Sequence, residues 1–150
     1  MDPKEVISTL NGLIETCKDG EYGFRSCAEH VNVPELITLF SQRADDCRQA
    51  AHELQEQVMQ LGGEPDTRGS AAGALHRGWV AVRSKLSSYD DLDVLKDCER
   101  GEEAAVAAYR AALEKTIPEP VRSLVERQYQ GAQRNHKQIR ELRDRTQTVR

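Results

Sequence analysis

The chain has 150 residues, 38% hydrophobic and 31% charged, with a formal charge of −4. This length and balance predict one soluble domain, residues 1–150, with one sizeable core, and exclude an intrinsically disordered chain. The acidic total leaves no expectation of nucleic-acid binding, and no apolar run reaches the roughly 18–20 residues needed to span a bilayer.

Met1-Asp2-Pro3-Lys4-Glu5 lacks the basic and apolar regions of a signal peptide, so the expected location is cytoplasmic, with no membrane partner. Four widely spaced cysteines, Cys17, Cys27, Cys47 and Cys98, include no Cys-x-x-Cys and read as free, mostly buried thiols. From Pro118 onward eight Lys or Arg stand against four Asp or Glu, a basic stretch expected to pair with acidic neighbouring helices.

The first apolar stripe is Val6, Leu10, Leu13/Ile14, Cys17, Glu21, Phe24, Ala28 and Val31, a helical period held over about seven turns. Asp2 and Pro3 suit its start, and Gly12, Gly20 and Gly23 inside it predict close backbone packing or a bend near Glu21. Asn32-Val33-Pro34 breaks the chain and opens a second helix, with Leu36, Phe40, Ala44, Cys47, Ala51, Leu54, Val58 and Leu61, which Gly62-Gly63 ends. A loop over 64–70 follows, Ser70 being a cap for a shorter helix that carries Leu75, Trp79, Val82 and Leu86. His76 and Arg77 on that helix are explained by packing or by a surface site equally well.

The third long helix shows Leu95, Cys98, Glu102, Ala105/Val106, Tyr109 and Leu113, and ends before Pro118 and Pro120. A fourth carries Val121, Val125, Gln128, Ala132, Asn135/His136, Ile139 and Leu142, with residues 145–150 expected to fray. The expected fold is all-α: four helices of ~25–30 residues, each ~40 Å long. Two short links make two antiparallel hairpins, and the stretch from about 63 to 90 is long enough to cross the whole bundle. Two hairpins joined by one long crossover containing a short helix is the ferritin-like arrangement.

Asp19-Gly20-Glu21-Tyr22-Gly23-Phe24, Gly73-Ala74-Leu75-His76-Arg77-Gly78-Trp79, Glu99-Arg100-Gly101-Glu102 and Val125-Glu126-Arg127-Gln128-Tyr129-Gln130 carry a resemblance across nearly the whole chain. With these segments the chain resembles an uncharacterised bacterial family of ferritin-like four-helix-bundle proteins, catalogued as a domain of unknown function. The resemblance implies a fold and no settled activity.

Glu21 and Glu102 occupy core positions of their stripes, where a carboxylate has to be neutralised, paired or bound to metal. Counting from the turns places Glu21 level with Ala44, Glu102 and Ala132, so the two carboxylates should face each other. His136 is expected about a turn nearer one end, level with Cys98. Gln128 falls a turn deeper, level with Cys17 and Cys47. Glu21, Glu102, His136 and Gln128 therefore form the candidate metal site, for a transition metal ion with iron favoured and copper or zinc possible.

A ferritin-like dimetal site also needs Glu-x-x-His on the second and fourth helices. Here Gln49-Ala50-Ala51-His52 and Gln133-Arg134-Asn135-His136 replace both carboxylates with amides, and His52 points away from its stripe, so a diiron oxidase is disfavoured. Two readings stay open for the buried carboxylates: a metal site for buffering, sensing or stress protection, or an ion-pair network. In the second, Arg43, and at greater distance Arg48, neutralises the glutamates in a metal-free structural or interaction protein. Cys17 and Cys47, at one level, fit core packing or a thiolate pair suited to Cu(I) or Zn(II). Glu99 and Glu103 fall off the stripe and are expected on the rim. Self-association, as a dimer, is expected, with any other protein partner unknown.

Overall fold

The computed structural model describes residues 1–70, 73 and 90–148, and among these the structure is four α-helices with no strand. They are α1 (Pro3–His30), α2 (Pro34–Gln60), α3 (Asp91–Leu113) and α4 (Val121–Thr148). The proposed Trp79 helix, with His76 and Arg77, lies outside the described residues.

Local chemistry explains the helix ends. Asp2 caps α1 by accepting from the Lys4 amide at 3.0 Å, while Pro3 occupies the first turn. Asp90 and Asp93 close a reciprocal capping box at the start of α3, each side chain accepting from the other's amide. At the end of α2, Gly62 takes φ +83°, and Gly62 N and Gly63 N donate to the Met59 and Val58 carbonyls, the paired bonds of a Schellman turn. Gly62→Ala is expected to lower stability by about 1 kcal/mol, because alanine must enter a left-handed conformation there; urea unfolding at constant m checks it.

Cross-helix pairs give the topology. Thr9 meets Lys115 and Cys17 meets Tyr109, so α1 and α3 run antiparallel. Glu99 meets Arg143 and Tyr109 meets Gln128, so α3 and α4 are also antiparallel. Ile7 packs at Gly63 and Arg25 meets Asp45, which makes α1 and α2 the other antiparallel pair. It follows that α2 and α3 are parallel, and the connection between them must return along the bundle. Its first part does so beside α1: Asn11 bonds Glu64 and Asp66, and Asp19, two turns farther on, accepts from Ser70. Ser70 Oγ also accepts from the Gly73 amide, the capping geometry expected of it.

The interior is two apolar clusters stacked along the bundle. One gathers Leu10, Leu13, Ile14, Leu54, Val58 and Val125; the other gathers Phe24, Phe40, Val94, Leu95 and Ile139, with the Phe24 and Phe40 rings stacked 6.1 Å apart. In sequence, Glu21 falls between Cys17 of the first cluster and Phe24 of the second, and Glu102 between Cys98 and Tyr109. The two carboxylates thus belong to a polar level that separates the apolar clusters.

Of the stretch expected to fray, residues 145–148 belong to helix α4, and the Thr148 hydroxyl donates to the Asp144 carbonyl. Helix α1 passes without a break through all three glycines, and only Gly20 has a close neighbour: a Cβ there would lie 2.7 Å from Cys47 Sγ. Gly20 is therefore what lets α2 bring Cys47 against the α1 backbone.

Candidate metal centre

Both core glutamates are buried, as their helical phase requires, yet their surroundings differ. Glu21 is flanked by cations of its own helix: Lys18 Nζ stands 3.5 Å from Oε1 and Arg25 Nη2 3.5 Å from Oε2. Arg25 also reaches Asp45 on α2. The expected partner, Arg43, is instead engaged by Gln138 on α4 and lies 3.7 Å from Asp46. One turn of helix in either direction from Glu21 supplies a cation at less cost in side-chain order than a reach from α2, which is why the pairing is local.

Among the described residues Glu102 has no ion pair, and its Oε1 is buried with no hydrogen-bond donor. Burial pushes its pKa up to about 7, against the opposing pull of Arg43. Arg43 Nε is likewise buried without a partner, so charge complementarity exists at this level without direct contact.

His136 meets α3 beside Glu99, the residue next to Cys98. It faces Glu103, with Nε2 3.6 Å from Oε1, and the donor atoms of Glu99, Glu103 and His136 all lie within 4.8 Å of one another. The assignment of Glu99 to the rim is corrected: it is 5% exposed and ion-paired with Arg143 Nη1. Glu103 does stay exposed. Sequence reasoning missed this trio; the Glu99-x-x-x-Glu103 spacing, which puts two carboxylates on one face of α3 whatever the phase of the core stripe, is the signal that could have found it.

Gln128 is fully engaged near Cys17. Its Oε1 accepts from Tyr109 OH at 2.7 Å, and its Nε2 donates to the Ala50 carbonyl at 3.2 Å and to Glu53 Oε1 at 3.4 Å. Tyr109 has one proton and gives it to Gln128, so Cys17, 3.2 Å from the same hydroxyl, is the donor in that contact. Burial raises the Cys17 thiol to about 11, keeping it protonated for this role. Glu53 completes the chain to the surface through Arg127. Gln128→Leu is expected to cost about 1–3 kcal/mol by stranding the Tyr109 hydroxyl, and a double-mutant cycle with Tyr109→Phe should recover part of it.

Cys47 sits within electrostatic range of Cys17, Glu21 and Glu102, and burial drives its pKa well up. The sequence-predicted residues therefore fall into three groups: Glu21 and Glu102 around Cys47, His136 with Glu99 and Glu103, and Gln128 with Tyr109 and Cys17. His52 is exposed and pairs with Glu56, as its phase predicted. Chemically, an imidazole nitrogen beside two carboxylates offers borderline and hard donors in the combination that first-row divalent ions accept. Among the described residues four buried side-chain atoms have no hydrogen-bond partner, Glu21 Oε1, Arg43 Nε, Glu102 Oε1 and His136 Nε2, and of these the two carboxylate oxygens and the imidazole nitrogen are atoms that a cation could engage.

The same helical arrangement occurs in solved structures. A dodecameric thioferritin from Bacteroides fragilis superimposes with TM-score 0.77 at 15% identity, over 99% of this chain and 90% of its own. A Dps1 variant from Mycobacterium smegmatis gives 0.74 at 13% identity, over 93% and 95%. The DPS protein of Vibrio cholerae, described as a member of the ferritin-like diiron-carboxylate superfamily, gives 0.73 at 16% identity, over 93% and 89%. At these identities the likeness is one of fold: a ferritin-like four-helix bundle. Among proteins with curated descriptions none matches this chain. The family profile described as Domain of unknown function (DUF2383) matches residues 5–115, most of the chain, and the protein belongs to that family.

Proposed function

We propose that this protein binds a transition metal ion, iron first, within its helical bundle, and serves in buffering, sensing or stress protection without catalytic turnover. The observation that carries the reading is the convergence of Glu99, Glu103 and His136 across α3 and α4, with His136 Nε2 buried and free of hydrogen bonds. His136 and Glu103 are the first ligands in this reading, because Glu99 already has Arg143. Glu102, beside Glu103 in sequence, and Glu21 supply interior carboxylates for a second ion, while Gln128 supports the site from its own hydrogen-bond network. Copper and zinc are the other ions such a donor set accepts. Iron is preferred because the V. cholerae relative is described as diiron-carboxylate and the carboxylate share of the donors is high.

A cytoplasmic location is part of the proposal; no described helix is long and apolar enough to cross a membrane. Self-association is part of the proposal: the B. fragilis relative is described as dodecameric, and Tyr22, Val33 and Ile37 on α1 and α2 and the turn between them are exposed. A second reading has its own observation. Glu21 with Lys18 and Arg25, and Glu99 with Arg143, are already paired, so the polar level persists in a metal-free interaction protein.

Anaerobic ferrous titration, read by competition with a chromophoric chelator, separates the two. The metal reading predicts uptake by the wild type that His136→Ala weakens by about 10–100-fold or more. Uptake absent from the wild type supports the metal-free reading, and uptake unchanged in His136→Ala overturns the assignment of the ion to the His136 trio.

A further inference from the structure

Helices α2 and α4 lie side by side: Glu53 pairs with Arg127 at 2.8 Å, and Arg43 is engaged by Gln138. Because α2 is parallel to α3, and α3 antiparallel to α4, the two run in opposite directions. Their outward faces carry opposite charge. On α2, Glu35, Asp45, Asp46, Glu53 and Glu56 fall within an arc of about 100° that holds no Lys or Arg. On α4, Arg127, Arg134, Lys137 and Arg145 share an arc of about 80°, in which Glu141 is the one acid. All of these side chains are exposed except Glu53, which is half-buried. Among the described residues no ion pair engages Glu35, Arg134, Lys137 or Arg145.

We propose that this face pairs with the same face of a second copy about a two-fold axis parallel to the helices, so that α2 of each protomer lies on α4 of the other. The proposal deepens the self-association named above, rests on that reading, and does not involve the metal centre. Charge chooses the axis. A two-fold running across the helices would set α2 on α2 and α4 on α4, like charge on like; the parallel axis sets acid on base along both. It also preserves level, and the levels match. From the Glu53–Arg127 pair, seven residues back along α2 is Asp46 and seven on along α4 is Arg134; eighteen in the same directions are Glu35 and Arg145. These steps are close to whole helical turns, so each pair returns to the outward face. Arg134 of one copy therefore meets Asp46 of the other, and Arg145 meets Glu35, each contact made twice. Two neighbouring helices, ~40 Å long and each ~10 Å wide, present roughly 800 Å² per protomer, the size of a standard stable interface. A second copy fits this face better than nucleic acid does, because the acidic row beside the basic one repels phosphate and the chain is −4 overall.

The test is sedimentation velocity of the full chain, without added metal, at low and high salt. The wild type should be a dimer at low salt, with a dissociation constant that rises about tenfold or more between about 50 and about 500 mM salt, a readout that needs no variant. Arg134→Glu/Arg145→Glu and Glu35→Arg/Asp46→Arg should each be monomeric, since each unbalances the face, and an equimolar mixture of the two should recover the dimer. Recovery on mixing is a result that a folding defect does not give. Wild type that is monomeric at low salt would overturn both this contact and self-association. An oligomer that salt and both reversals leave intact, or two monomeric variants that do not recombine, would overturn the contact and leave self-association to the Tyr22, Val33 and Ile37 surface. Wild type whose basic row binds a DNA duplex in place of a second copy would assign the row to nucleic acid and overturn the proposal too. Both variants should keep wild-type ferrous uptake, so failure here is distinct from failure of the metal centre.

Discussion

Glu102→Met is expected to stabilise the protein at pH 8 and to do little at pH 4.5. Glu102 is 5% exposed, carries an unsatisfied oxygen, and titrates at about 7 instead of 4.5. The sign follows from which state holds the proton. Below about pH 4.5 both folded and unfolded chains are protonated at this residue and there is no penalty. Between 4.5 and 7 the folded chain keeps a proton that the unfolded chain has lost, so stability falls as pH rises. Above 7 both are ionised and the full penalty stands, on the order of 3 kcal/mol for a shift of this size. Methionine has similar length, no charge to desolvate, and a flexible thioether that fills irregular space. Urea unfolding of both proteins at several pH values, without added metal, should show the difference opening between pH 5 and 8. A difference that is constant across this range would mean that Glu102 is not neutralised by burial.

Ferrous ion is expected to stabilise the fold, by about 2.7 kcal/mol when free metal is about 100 times Kd, with no such effect in His136→Ala. Arg143 makes this prediction specific. Its guanidinium occupies Glu99, which the proposed ion also uses, so cation and arginine compete for one carboxylate. Arg143→Gln should therefore lower stability without metal, by leaving Glu99 buried and unpaired, and tighten ferrous binding. Thermal unfolding with and without ferrous ion checks both directions. If Arg143→Gln only destabilises, with metal affinity unchanged or weaker, Glu99 belongs to a structural ion pair alone.

Much of this molecule is legible in its sequence because burial repeats at helical period. The stripe through Leu10, Leu13, Cys17 and Phe24 is the buried face of α1, and the length between α2 and α3 forces the crossover that Asn11 and Asp19 fasten. Burial of Glu21 and Glu102 was likewise readable from phase alone. Partner choice was not. Whether Glu21 takes Arg43 or Arg25 depends on rotamers and on the competing claim of Gln138, none of which periodicity encodes. Glu99 is buried because the first half of α3 is covered over a wide arc, including Leu92, Val94, Leu95, Asp97 and Cys98, whereas a single-stripe reading assumes one buried face. The convergence of His136 on Glu99 and Glu103 was not legible either, because the side chains that meet between α3 and α4 are chosen by packing at contacts such as Tyr109–Gln128 and Glu99–Arg143, which residue counting does not encode.

The most direct test of the central claim is metal content by elemental mass spectrometry, on protein purified without a histidine tag or chelator. Wild type should be compared with His136→Ala and with Glu21→Ala/Glu102→Ala. The account predicts near-stoichiometric metal, iron foremost, in the wild type, most of it lost in His136→Ala and reduced in the double variant. Wild-type protein that is metal-free and resists loading with ferrous ion, while folding as a helical bundle, would contradict it and assign these carboxylates to structure alone.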